Sequence, residues 1–320
     1  MGLRIIDHDE LAPSMEAQVH LLDMSAGWAP MDFKSIEEAR KSGYPSADYV
    51  GVYAVEGGEV ISEVRVIRIP FTTPGLTTEI ASGIQGVATR RDRSRRGLAR
   101  KLLEEVHRRE KAAGIRLALL WTGHAMVAHG LYNSLGYVDV HTPKIAMRFC
   151  GARRDEPSGY ELRKVREKDA ETIAALHTEA TEGRIGFTPR AAGLLSSLFK
   201  LGFVKPESIR MIQRGGRAVG YVMLESNPLW TRFDEVVFCR GAKLGDVLDL
   251  LEGEAPNRWL LLRNTFVQDA SPLLRRRRYA LSDHAYYGLL AAPLQGSASR
   301  FTRALGTSDP RFSCQYLDYF

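Results

Sequence analysis

The sequence is poor in cysteine. Of its 320 residues only Cys150, Cys239 and Cys314 are cysteines, far apart and odd in number. No Cys-x-x-Cys pair occurs, so neither a disulfide framework nor a metal site is expected. Long apolar runs are also missing, and none approaches the length of a membrane span. The opening stretch, MGLRIIDHDELAPS, lacks the basic-then-apolar layout of a secretory signal, which makes the cytoplasm the expected compartment. Charge of one sign does not dominate: Lys and Arg number 44 against 38 Asp and Glu, a net charge of +6. The excess is gathered in RRDRSRR (residues 90–96) and in Arg275–Arg278. No helix-turn-helix, zinc-finger or RNA-binding signature accompanies either run, so a nucleic-acid partner is not expected. An anionic cofactor accounts for the first run and a solvated helix face for the second. What remains is an ordinary globular composition, 44% hydrophobic and 26% charged, long enough for two domains.

The stretch that organises the chain is Gly86 to Leu103, GVATRRDRSRRGLARKLL. It starts as a β-favouring segment and ends as an amphipathic helix, with Leu98, Leu102, Leu103 and Val106 on one face. Between them lies an arginine-rich turn, Arg95-Arg96-Gly97-Leu98-Ala99. The first N–H groups of a helix have no partner within it and carry partial positive charge. A glycine and a small residue there let an anion approach the backbone, and arginines add planar donors. The junction reads as a diphosphate cradle, or as a solvated basic turn at a helix start.

Taken in order, residues 3–6 form a first strand, and residues 16–24 and 32–42 two helices. Residues 49–55 and 60–69 form a hairpin about Gly57-Gly58. Residues 77–89 are a central strand, 115–121 an apolar strand buried on both faces, and 125–135 a short helix. Residues 137–140 and 144–149 close a first domain, 1–149. A polar linker, Cys150 to Gly159, follows. The pattern then restarts over 160–292 with strand, helix, hairpin at Gly215-Gly216, strand, helix and apolar strand RWLLL. A last short helix falls at Ser271–Tyr279 and a last strand at Tyr286–Ala291, before a tail, 293–320. The restart reads as an internal duplication, with an unrelated α+β domain as the other reading.

The turn, read as Ser94-Arg95-Arg96-Gly97-Leu98-Ala99, resembles the acyl-coenzyme A loop of the GNAT acetyltransferase superfamily, Gln/Arg-x-x-Gly-x-Gly/Ala. Ser94 stands where Gln or Arg is usual. A second block, Ala128-His-Gly-Leu-Tyr132-Asn-Ser-Leu-Gly136-Tyr137, resembles that family's A-x-x-L-Y-x-x-x-G-F/Y; the Asn common just upstream is Ala125 here. The resemblance covers roughly residues 1–149. It implies an α+β fold (an α/β/α sandwich) made of two tandem GNAT-like domains, each a mixed, mainly antiparallel sheet flanked by helices. The second copy lacks the arginine-rich spacer, having only Arg240-Gly241-Ala242-Lys243-Leu244-Gly245, and places Leu274 where the first has Tyr132. It is expected to be structural.

The activity implied is acetyl transfer from acetyl-coenzyme A to a primary amine. Arg95, Arg96, Gly97, Leu98, Ala99 and Arg100 are expected to hold the pyrophosphate, and Val87 and Thr89 to pair their backbone with the pantetheine arm. A backbone N–H near Val87 and Ala88 would meet the oxyanion. Tyr132 is the expected general acid, its phenol being protonated at neutral pH. An amine needs a base, and the candidates are Glu79, then His124, then Glu63. No metal is implied. The acceptor is expected to be a small-molecule amine, with a protein or peptide amine as the other option. Phe320 is a further candidate, because some tandem acetyltransferases of the enhanced-intracellular-survival type end in an aromatic residue whose carboxylate enters the active site. The rival from another class is a non-catalytic acyl-coenzyme A sensor or regulatory module.

Overall fold

The structure, a computed structural model, describes residues 2–27, 32–41, 50–152, 159–190, 193–200, 202, 204–296 and 305–315. The first half runs β1 (Arg4–Asp7), α1 (Glu16–Ser25), α2 (Phe33–Lys41), β2 (Gly51–Glu56), β3 (Glu59–Thr72), β4 (Thr78–Thr89), α3 (Leu98–Ala112), β5 (Leu117–Gly123), α4 (Val127–Ser134), β6 (Val138–His141) and β7 (Ile145–Phe149). The second runs β8 (Glu161–Lys164), α5 (Ala170–Ala180), β9 (Ile185–Gly186), α6 (Leu194–Lys200), β10 (Ile209–Arg214), β11 (Arg217–Ser226), β12 (Trp230–Phe238) and α7 (Leu244–Gly253). It ends with β13 (Trp259–Arg263), α8 (Asn264–Arg276), β14 (Ala280–Ser282), β15 (Tyr287–Pro293) and β16 (Phe312–Ser313). Helix α8 starts earlier than the expected Ser271, because Phe266, Val267, Ala270 and Leu274 all lie in the core. No helix among the described residues is long and apolar enough to cross a membrane.

The strands form two sheets that trade a strand. The first has the order β1-β2-β3-β4-β5-β15-β6, and the second β14-β7-β13-β12-β11-β10-β8. Residues 144–149, expected to close the first sheet, instead supply β7 to the second, between β13 and β14. Strand β15, expected to end the second sheet, lies in the first, between β5 and β6. The reason is visible in β15. Leu290 and Ala292 join the core under α3, while Leu289 and Ala291 join the core on the opposite face. A strand apolar on both faces needs an interior place with a covered layer on each side.

One face of the first sheet packs on α3 through Leu98, Leu102, Leu103 and Val106, with Tyr132 and Tyr137 beside them. The other face is covered in two parts. Helix α1 covers Tyr53, Val55 and Val60 with Val19 and Leu22. Residues of the second half cover the rest: Ile185, Phe187 and Phe312 pack on Phe71, Ala81 and Leu119. The tail is therefore tied down as far as residue 315, since Phe312 is buried and β16 pairs with β9, which touches the end of β3. Phe320 lies outside the described residues.

Candidate active site

Strands β4 and β5 are parallel, but only Ser82–Ala118 and Gly83–Leu119 pair. Beyond Gly83, β4 runs on to Thr89 while β5 turns away, leaving the β5-facing backbone edge of residues 84–89 without a strand partner. A bulge at Gly86 accompanies this split. Gly86 has φ +52°, and a Cβ there would lie 2.4 Å from the Arg65 Nε, so only glycine fits. Val87, Ala88 and Thr89 all lie on the splayed segment.

The turn after β4 ends on Gly97, the residue that starts α3, in the left-handed conformation at φ +73°. Arg95 is also left-handed, at φ +61°. No side chain caps α3, and the space over Gly97 is open, so the first N–H groups of the helix are left for an anion. The arginines divide. Among the described residues Arg95 is exposed and makes no ion pair. Arg96 instead grips Glu56 through two bonds of 2.9 and 2.7 Å. Arg100 donates to the Ser134 hydroxyl at 2.6 Å, linking α3 to α4. The Ser94 hydroxyl donates back to the Arg91 carbonyl and does not cap the helix.

Tyr132 sits on α4, on the α3 side of the split, 7% exposed and edge-to-face with Tyr137. Burial pushes its phenol up to about 12. Its hydroxyl finds no hydrogen-bond partner among the described residues, whereas that of Tyr137 is spent on His107 at 2.8 Å. The same turn recurs in the second half: the Tyr137 N–H donates to the carbonyl of Tyr132, and the Tyr279 N–H to that of Leu274. Leu274 thus occupies the place of Tyr132 and brings no hydroxyl.

The three base candidates are well separated. Glu79 lies four residues before Gly83, the last β4 residue paired to β5, about 13 Å back along the strand from where the split begins. It is ion-paired to Arg116. His124 follows β5 and shares the carboxylate of Asp139 with His129. Glu63 stands on β3 directly opposite Ala88 of the splayed segment. It is fully buried, on the α1 side, beside the ion-paired Asp23 and Arg65. Desolvation drives its carboxyl up to about 8, with Arg65 opposing and Asp23 adding to the rise. Burial likewise raises Asp23. Asp23 and Arg65 were not among the expected residues. Their signal was charge inside apolar runs, Leu21-Leu-Asp-Met24 and Val60-Ile-Ser-Glu-Val-Arg-Val-Ile67.

The second sheet repeats the split. Parallel pairing of β12 and β13 stops at Phe233–Leu262. A cavity of about 490 Å³ follows, lined by Phe238, Arg240, Thr265, Arg311 and Gln315 among others. Its wall includes the chain's own C-terminal segment, since the Thr265 hydroxyl bonds both the carbonyl and the N–H of Cys314.

A sheet split between two parallel strands, with a helix N-terminus at the mouth and a tyrosine helix beside it, defines a GNAT fold. Residues 13–138 match the family model described as an acetyltransferase (GNAT) domain. Over 106 residues the chain is 31% identical to N-acetyltransferase Eis of Mycobacterium tuberculosis, a match spanning 32% of this chain and 25% of that protein. Among solved structures it resembles a GCN5-related N-acetyltransferase from Kribbella flavida (TM-score 0.65, 18% identity, 92% of this chain and 72% of that one). It also resembles a tandem GNAT protein from the clavulanic acid biosynthesis pathway (TM-score 0.54, 15% identity, 92% and 100%). The two-sheet architecture is therefore that of a tandem GNAT protein.

Proposed function

We propose that the first sheet's split is the active site of an acetyl-coenzyme A-dependent N-acyltransferase acting on a small primary amine. The observation that carries this is the conjunction of the unpaired β4 edge, the uncapped α3 N-terminus and Tyr132, whose residues Ile84, Leu98 and Tyr132 share one core. The residues fit the donor. Gly97, Leu98 and Ala99 present backbone to the pyrophosphate, and Arg95 adds a cation. Arg100 stands beside them, while Arg96 steadies the loop through Glu56. Val87 and Thr89 offer backbone groups to the pantetheine amides, and the segment around Ala88 offers a donor to an oxyanion. Acetyl-coenzyme A supplies the thioester that the amine attacks.

Tyr132 holds a proton at neutral pH and gives it to the leaving thiolate. For the base we assign Glu63 in place of Glu79. Glu79 is neutralised by Arg116 away from the split, whereas Glu63 is set against the splayed strand. With its carboxyl raised to about 8, the ionised form of Glu63 is a stronger base than an ordinary glutamate, and it takes a proton from an ammonium group, relayed by water, as pH rises toward that value. The acceptor approaches from the α1 side. There Ile185, Phe187 and Phe312 cover much of the sheet, which favours a small amine over a protein surface.

The test is Tyr132→Phe. Thiol release from acetyl-coenzyme A is measured across a panel of small amines, aminoglycosides and peptides, alongside donor affinity by calorimetry. The variant is expected to lose about a hundredfold or more in kcat while keeping its affinity. Unchanged kcat on an accepted amine removes the phenol from the mechanism. Donor binding without thiol release on any amine favours the sensor reading.

A further inference from the structure

His124, in the loop after β5, His129, on α4, and Asp139, on β6, meet at one point. The His124 Nε2 lies 2.9 Å from the Asp139 Oδ1, and the His129 Nε2 lies 3.1 Å from the Oδ2. One ligand atom from each of the three residues lies within 4.8 Å of the others. His124 and Asp139 are solvent-accessible and His129 is half-buried, so the cluster can be reached from water.

We propose that His124, His129 and Asp139 bind a first-row divalent cation of the Zn²⁺ type through the two imidazole Nε2 atoms and one carboxylate. Two imidazoles and a carboxylate are the borderline donors such ions take, with the remaining position left to water. Nitrogen–oxygen separations of about 3.3 Å follow from metal–ligand distances near 2.0 Å in a tetrahedron. The two histidine–carboxylate distances lie within a few tenths of an ångström of that value.

Two features show that the cluster is built into the fold. The first is the support of His129, whose Nδ1 lies 3.2 Å from the Asn133 amide nitrogen, one turn on along α4; turning that amide end for end puts its oxygen in the same place. A side-chain amide can present either its nitrogen or its oxygen. By presenting the oxygen, Asn133 holds the proton on Nδ1 and leaves Nε2 free to coordinate, as outer-shell partners of metal-bound histidines do. The second is Gly288 of β15. A Cβ at this position would lie 2.7 Å from the His124 Nε2 and 3.4 Å from the Asp139 Oδ1, so a bare backbone there lets the imidazole lie over the strand. The site thus draws on the strand that the second half contributes to the first sheet. A bound ion fixes α4, which carries Tyr132 three residues after His129, to the loop after β5 and to β6.

The experiment is calorimetric titration of the full, untagged chain with Zn²⁺, with Co²⁺ absorption as a second probe. Wild type is expected to bind one equivalent. Asn133→Leu is expected to weaken binding about tenfold, and His124→Ala and Asp139→Asn to abolish it. The metal-free fold of each variant is checked by thermal unfolding. Co²⁺ is expected to give visible d–d bands without thiolate charge transfer, since all three cysteines are buried. The proposal is overturned if wild type takes up no Zn²⁺, if His124→Ala and Asp139→Asn bind like wild type, or if the Co²⁺ spectrum is that of a thiolate site. Should Asp139→Asn fail to fold, His129→Gln decides on the same readout.

Discussion

Cutting the chain at residue 149 should leave a first half that does not fold alone. Such a fragment keeps β7, which belongs to the second sheet, and lacks β15, which fills the gap between β5 and β6. Leu289, Leu290 and Ala291 of β15 are fully buried and Ala292 nearly so. Burying a leucine side chain contributes about 1.5–3 kcal/mol. The two leucines alone then contribute about 3–6 kcal/mol, before the backbone pairing to β5 over Tyr287–Pro293 is considered. A domain's whole net stability is about 5–15 kcal/mol. Fragments 1–149 and 150–320 would be expressed apart and together, then compared by circular dichroism and thermal unfolding. Apart, the first should show no cooperative transition; together, they should recover one. As a gentler perturbation, Leu290→Ala in the intact chain should cost about 2–5 kcal/mol. Hydrogen exchange should locate the loss in β5 and α3, far away in sequence. A fragment 1–149 that unfolds cooperatively and binds acetyl-coenzyme A would refute the reasoning.

Glu63 makes a pH-dependent contribution whose sign is set by its raised carboxyl. The folded state holds that proton up to about 8, while the unfolded state releases it near the ordinary value of 4.5. Between those limits the folded state binds more protons, so this group makes stability fall as pH rises. Glu63→Gln should flatten that slope in a series of thermal midpoints taken across the window; an unchanged slope would mean that the carboxyl is not perturbed. At the loop proposed to hold the pyrophosphate, Gly97→Val places a β-branched side chain at φ +73°, which costs about 1–3 kcal/mol and fills the open space over the α3 N-terminus. Acetyl-coenzyme A affinity, read by calorimetry, should drop well beyond the loss in thermal midpoint, and equal donor affinity would place the pyrophosphate elsewhere.

Much of the proposed site is local, so its residues can be named from the sequence. The strand, arginine turn and helix from Gly86 to Leu103 depend on neighbours in sequence, and so does the α4 turn that carries Tyr132. The charges of the acceptor side were less legible. Glu63, Arg65 and Asp23 come together only when α1 packs over β3, and Glu79, which the sequence ranks ahead of Glu63, is paired with Arg116 only in the fold. The fate of an arginine is likewise a tertiary matter: Arg95 and Arg96 are adjacent in one turn, yet only Arg96 has Glu56 within reach.

The sequence by itself determined where most strands and helices lie, that a strand-and-helix pattern restarts near residue 160, and that the first half carries the arginine-rich turn and the phenol the second lacks. These follow from periodicity, turn residues and residue chemistry, each a property of a short window. Only the tertiary structure decided which sheet each strand joins. A run such as Tyr287–Pro293 announces a strand buried on both faces, but β5 and β13 offer similar apolar edges. The choice rests on covering layers contributed by residues more than a hundred positions away. The same long-range pairing sets Gly288 under His124 and brings two histidines and an aspartate to one point, a juxtaposition that no local pattern encodes.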